Sequence, residues 1–190
     1  MTEPHVVVDV ECFRYRNYEW IVKEIAVYGD CIDSIYLREP YPFSNLPPVV
    51  QKQFRWFTAR LHGMTWNSGR YPYERVYSFV ESVKLRYPNS CFYAKGLDKC
   101  NFLTRLFGKE FHDLEDYGCP KYDILEQVTG SYCTEYPLIH WKNKHCARKK
   151  VKAFGSWLAG YLVDSVHGEL ENELIEGLDD LAVSETSNPD

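Results

Sequence analysis

The sequence predicts an α/β domain: a mixed sheet of five or six strands flanked by helices. Three observations lead there. Apolar β-branched runs come first, as a meander. Shorter strand-like runs then alternate with amphipathic stretches of helical length. Hydrophobic residues make up 45% of 190, enough for one sizeable core.

Val6–Val10 is a strand, with Asp9 and Glu11 on one face by its period of two. Arg14–Glu19 reads as a turn, Trp20–Tyr28 as a second strand and Ser34–Arg38 as a third. Pro40, Pro42, Pro47 and Pro48 then interrupt regular structure. Pro48–Leu61 has helical spacing, through Val49, Phe54, Phe57 and Leu61, and Gly63 stands where a helix would be capped. Tyr73–Tyr87 is a second helix, with a stripe of Val76, Phe79, Val80 and Val83. Ser90–Lys95 is a strand, Leu97–Phe107 a helix ending at Gly108, and Phe111–Leu114 another strand. Ile124–Val128 is a short helix and Cys146–Val163 a long one.

Charge divides the chain at about residue 167. Gly168–Asp190 carries eight acids and no Lys or Arg, whereas residues 1–167 hold 22 basic against 19 acidic residues. Two segments are expected: a folded domain, 1–167, and an acidic tail, 168–190. Leu170, Leu174, Leu178 and Leu181 space the tail as an amphipathic helix that could dock back or recruit a protein partner. Their spacing also resembles, loosely, a nuclear export signal. Within the body, Lys142, Lys144, Arg148, Lys149, Lys150 and Lys152 fall in eleven residues. Such a run suits a polyanion, or else forms a solvated helix face.

No apolar run approaches ~18 residues, which excludes a membrane-spanning helix. The start, Met-Thr-Glu-Pro, lacks the basic region of a secretory signal. The expected location is the cytoplasm, with the nucleus as the other compartment. Seven cysteines, an odd number, favour free thiols and one metal site over a disulfide framework.

The chemistry concentrates in carboxylates. Asp9 and Glu11, on one face of a buried strand, form an oxygen-rich site for a hard ion such as Mg²⁺ or Mn²⁺. The order of elements resembles the DEDDh-type exonucleases of the ribonuclease H-like fold. Asp9 and Glu11 match that family's first motif, and Leu61-His62-Gly63-Met64-Thr65 its helix-to-loop phrase. Phe92-Tyr93-Ala94-Lys95-Gly96-Leu97-Asp98 is similar to its second motif, in which an Asp opens a helix beyond a strand. Asp113 matches a further strand-end Asp of the family that is usually not catalytic. The resemblance implies that Asp9, Glu11 and Asp98 hold the ion and that His145 activates water. It also implies an Asp five residues after that His, where this chain has Lys150. An ammonium there repels a metal ion by several kcal/mol at an effective dielectric of about 20. One ion binds, the lysine replaces one, or catalysis is gone.

A second resemblance concerns zinc. Lys23-Glu24-Ile25-Ala26-Val27-Tyr28, Ile32 to Tyr36 and Pro40-Tyr41-Pro42 resemble the start of the Maelstrom domain, a ribonuclease H-like domain of a germline small-RNA pathway. That likeness implies a structural zinc on Glu24, Cys133, His140 and Cys146. His145 is the alternative to His140, and Cys119 an outside candidate. The chain departs from Maelstrom in keeping Asp9, Glu11 and Asp98. Together the resemblances imply a protein that binds single-stranded RNA or DNA, RNA foremost, with weak metal-assisted cleavage. The alternative is a catalytically inactive, zinc-stabilised scaffold that recruits proteins. Trp56, Trp66, Tyr71 and Tyr73 around Asn67-Ser68-Gly69-Arg70 could stack bases or form a core rim.

Overall fold

A computed structural model of the chain describes residues 4–14, 19–129 and 146–165. The chain divides into two compact units, Met1–Gly155 and Ser156–Asp190. The described part of the second is the helical run 156–165. The boundary at 167/168 and the acidic tail lie outside the described residues. Among the described residues no helix is long and apolar enough to cross a membrane.

The first unit is built on five strands: β1 (His5–Arg14), β2 (Trp20–Tyr28), β3 (Ile32–Tyr36), β4 (Cys91–Ala94) and β5 (Phe111–Asp113). Their order is β3-β2-β1-β4-β5. β2 runs antiparallel to β1 and β3, while β4 lies parallel to β1 and β5 parallel to β4. The expected mixed sheet flanked by helices is thus present. Among the described residues five α-helices accompany it: α1 (Pro48–Phe57), α2 (Arg75–Arg86), α3 (Leu97–Phe107), α4 (Tyr122–Thr129) and α5 (147–165), of which 147–155 belong to this unit. α1 continues into a π-helical turn, Thr58–His62, which stops at Gly63 with φ 72°. That left-handed cap suits a residue without Cβ.

Alternation along β1 sorts the core. Val6, Val8 and Val10 pack with Val76, Val80 and Val83 of α2 and with Leu103 and Phe107 of α3. The opposite face of β1 carries Asp9, Glu11 and Phe13. β2 breaks its own alternation, because Glu11 pairs with Glu24 but Cys12 with Val22. The extra residue, Lys23, forms a β-bulge. The bulge lets Val22, Ile25 and Val27 all join the core shared with α2 and α3. It also leaves Lys23 fully buried, with Nζ donating to the carbonyls of Trp66 (2.7 Å) and Ser68 (2.6 Å). Loop 64–71 is thereby tied to β2. Gly69, at φ +145°, completes the tie, since a Cβ there would lie 2.2 Å from the Leu37 carbonyl.

Burial lowers the Lys23 ammonium to about 7, against the opposing charge of Glu39. The unfolded chain, with an ordinary lysine, binds more protons above pH 7 than the folded chain does. Stability is therefore expected to rise with pH from 7 to about 8, by up to about 1.4 kcal/mol per unit. Above that range the buried Cys100 and Cys119 thiols, both pushed up by burial, begin to act in the other direction. Urea unfolding of wild type and Lys23→Met at pH 6, 7 and 8 checks this. The variant should lose the slope.

Candidate functional site

Asp9 is fully buried and Glu11 nearly so, two residues apart at the middle of the sheet. Two lysines converge on them. Lys99, in the first turn of α3, donates from Nζ to Asp9 Oδ1. Lys150, on α5, donates to Glu11 Oε1 at 2.5 Å and stands 4.0 Å from Asp9 Oδ2. Burial alone would depress the Lys150 ammonium. The charges of Glu11 and Asp9, the hydrogen bond to Glu11 and the charge of Glu24 outweigh it and hold the group well above the usual lysine range. Lys150 therefore stays charged at neutral pH.

Asp98 is not part of this cluster. Its side chain is 69% exposed and pairs with Arg14 at 3.4 Å. Asp98 shares its helix face with Asn101 and Arg105, all three lining one shallow pocket with Trp20. Lys99, one residue on and about 100° around the helix, faces the sheet instead. Asp113 accepts the Gly96 N–H (2.8 Å) and the Glu115 N–H (2.9 Å) through one oxygen. That clamp sets the start of α3, with Gly96 at φ 96°, and so aims Lys99. His145 lies outside the described residues.

The pair of acids and pair of ammoniums form a compact neutral cluster. The donor set does not fit two divalent ions while both lysines remain. An ion against the same oxygens would meet two cations at close range, a repulsion of several kcal/mol at an effective dielectric of about 20. Among the described residues no group of three or more His, Cys, Asp or Glu side chains is placed to hold a metal ion.

Two clefts meet at this cluster. One, of about 270 Å³, is lined by Glu11, Arg14, Trp20, Phe57, His62, Lys99 and Lys150. The other, of about 250 Å³, is lined by Lys95, Lys99, Lys121, Tyr122, Asp123, Lys150 and Phe154. They share Lys99 and Lys150, and together five cations line them against two acids. Trp20 is stacked on Phe102 (centroids 4.8 Å apart, 10° between planes), and the Arg14 guanidinium lies 4.0 Å from the Trp20 ring centre.

Three members of the basic run, Arg148, Lys149 and Lys150, are turned inward. Arg148 donates to Ile32 O and Ser34 Oγ at 3.2 Å each, and Lys149 stands 3.9 Å from Glu126. Of the described members only Lys152 is exposed. Arg148, Lys149 and Lys150 thus pair with strand and helix partners on the packed face of α5, while Lys152 stays exposed. Lys142 and Lys144 lie outside the described residues.

Of the expected zinc ligands, Glu24 and Cys146 are together. Both are fully buried. Cys146 Sγ lies 3.7 Å from Glu24 Oε1, and the Ala147 N–H donates to Glu24 Oε2 at 2.9 Å. Cys133 and His140 lie outside the described residues. Cys119 is apart from this pair. Burial pushes its thiol up to about 11, and its Sγ lies 3.6 Å from Pro120 O. Trp66 belongs to the core with Phe13 and Phe54, while Trp56 is exposed.

No family model and no curated protein matches the chain. Solved structures do. E. coli exonuclease I in complex with a dT13 oligonucleotide aligns with a TM-score of 0.46 and 12% identity, over 92% of this chain and 44% of that one. The same exonuclease in complex with a dA16 oligonucleotide gives 0.48 and 15%, over 92% and 43%. The chain thus spans less than half the length of the exonuclease chains it matches.

Proposed function

We propose that this protein binds single-stranded nucleic acid in the cleft around Lys99 and Lys150 and does not cut it. The carrying observation is the pairing of both buried acids with lysines, Asp9 with Lys99 and Glu11 with Lys150. In an exonuclease-like site the acids hold metal ions and the ions stabilise the transferring phosphoryl group. Here the acids are neutralised by ammoniums of the chain itself, and Asp98 is turned away. What remains is a cation-bordered cleft, which suits the phosphates of a strand. RNA is the partner proposed over DNA, in keeping with the Maelstrom resemblance. A small-RNA setting belongs to the same proposal.

A labelled twelve-nucleotide single strand, as RNA and as DNA, tests this by fluorescence anisotropy. Binding is expected to weaken steeply between 50 and 200 mM salt. Arg14→Ala and Lys121→Ala should each reduce the salt slope by about one. Binding that ignores salt, or that both variants leave intact, would remove the cleft from the interaction.

The adjacency of Glu24 and Cys146 supports a second component of the proposal, a structural zinc completed by Cys133 and either His140 or His145. The donors would join β2 to the approach of α5. Four protein ligands would make it a closed, structural site.

A further inference from the structure

We infer that a second cavity, separate from the lysine cluster, is a pocket for a guanine base. The inference rests on the single-strand reading and deepens it. The cavity, of about 350 Å³, lies between the end of α1, β1 and loop 64–71. That volume is at the small end of ligand sites and suits a base or nucleoside. Its apolar walls are Phe13, Phe43, Phe54 and Trp66. Phe54 and Trp66 stack on one another, with centroids 5.3 Å apart and 24° between planes, and so form one aromatic wall. Such walls favour a flat π-system.

The polar wall decides which one. Glu39 Oε2 is buried and has no hydrogen-bond partner among the described residues. An ionised carboxylate only accepts, so this oxygen calls for a ligand N–H or O–H. Arg55 also lines the cavity, with its guanidinium 5.5 Å from the Phe43 ring centre, and opposes a cationic ligand. A carboxylate accepts through both of its oxygens, so a neutral ring with two adjacent donors fits Glu39 without placing a cation beside Arg55. Guanine alone among the four common bases offers two neighbouring N–H groups, N1 and N2, on its pairing edge. Adenine and cytosine set an acceptor beside their amino group, and uracil flanks its single N–H with carbonyls. Asn67 accepts the Thr65 hydroxyl at 3.1 Å through Oδ1, which leaves its amide NH₂ to meet guanine O6. Phe13 links the pocket to the cleft. It follows Glu11 by two residues on the same strand face, and its ring meets His62, a cleft residue, edge-on at 4.8 Å.

Titration calorimetry with GMP, AMP, CMP and UMP tests the pocket. GMP should bind about tenfold more tightly than AMP. Glu39→Gln should erase that preference, and Thr65→Trp, which fills the cavity from its exposed rim, should abolish binding. An oligo(dT) strand, lacking guanine, should bind wild type and Glu39→Gln equally by anisotropy. Equal binding of the four nucleotides, a preference that survives Glu39→Gln, or selection of a trimethyllysine peptide over GMP would overturn the pocket. Guanine selection without oligo(dT) binding would support the pocket and remove the cleft reading instead.

Discussion

Lys150→Met is expected to lower the free energy of unfolding by about 3–5 kcal/mol at pH 7. The methionine fills a similar volume, so the loss is electrostatic rather than a cavity. With Lys150 gone, Glu11 keeps a buried charge and loses its 2.5 Å ammonium partner. Asp9 keeps Lys99 on Oδ1, but Oδ2 has no hydrogen bond among the described residues and loses the cation at 4.0 Å. Urea unfolding of wild type and variant measures the loss. A variant as stable as wild type would show that the pairing contributes nothing.

Glu24→Ala is the second large effect, about 2–3 kcal/mol. Its carboxylate accepts the Ala147 N–H at the start of α5, a charge-assisted bond at the positive end of a helix. Both partners are fully buried, so the N–H finds no water in exchange. Thermal unfolding checks the loss. Metal analysis of the same protein separates two roles of Glu24. With zinc present, wild type carries it stoichiometrically, Cys146→Ser loses it, and chelation destabilises wild type but not Glu24→Ala. If wild type carries none, Glu24 acts as a helix cap alone.

Much of this architecture is legible in the sequence where local signals agree. Trp20–Tyr28 and Leu97–Phe107 fall where apolar periodicity and the glycine stop at Gly108 place them. β1 runs on to Arg14, beyond its apolar run, because pairing with β2 continues past the bulge. The bulge itself leaves a trace in the sequence: Val22 and the pair Ile25 and Val27 differ in parity, yet all are core. The π-helical turn at Thr58–His62 leaves none, since helical spacing does not distinguish an added residue in one turn.

The site was half legible. Motif position singled out Asp9, Glu11 and Lys150, and the structure brings them together. Motif position does not single out Lys99, because the motif's acid is its neighbour Asp98. The stripe of α3 holds the missing signal. Cys100, Leu103 and Phe107 face the core, so Lys99, four residues before Leu103, lies beside that face. Asp98 falls with Asn101 and Arg105 on the polar side. The inward turn of Arg148 and Lys149 was hidden for another reason. A basic run on a helix gives its charge from composition, but which members face the sheet depends on where the helix docks.

The central claim is that Lys99 and Lys150 replace metal ions at Asp9 and Glu11, leaving a cleft that holds a strand without cutting it. Its most direct test is a labelled single-stranded RNA incubated with the wild-type protein in Mg²⁺ and, separately, in Mn²⁺. Electrophoresis then resolves products under conditions where anisotropy shows the strand bound. Bound, full-length RNA is the expected result with either ion. Shortening that requires the metal and disappears in Asp9→Ala would contradict it.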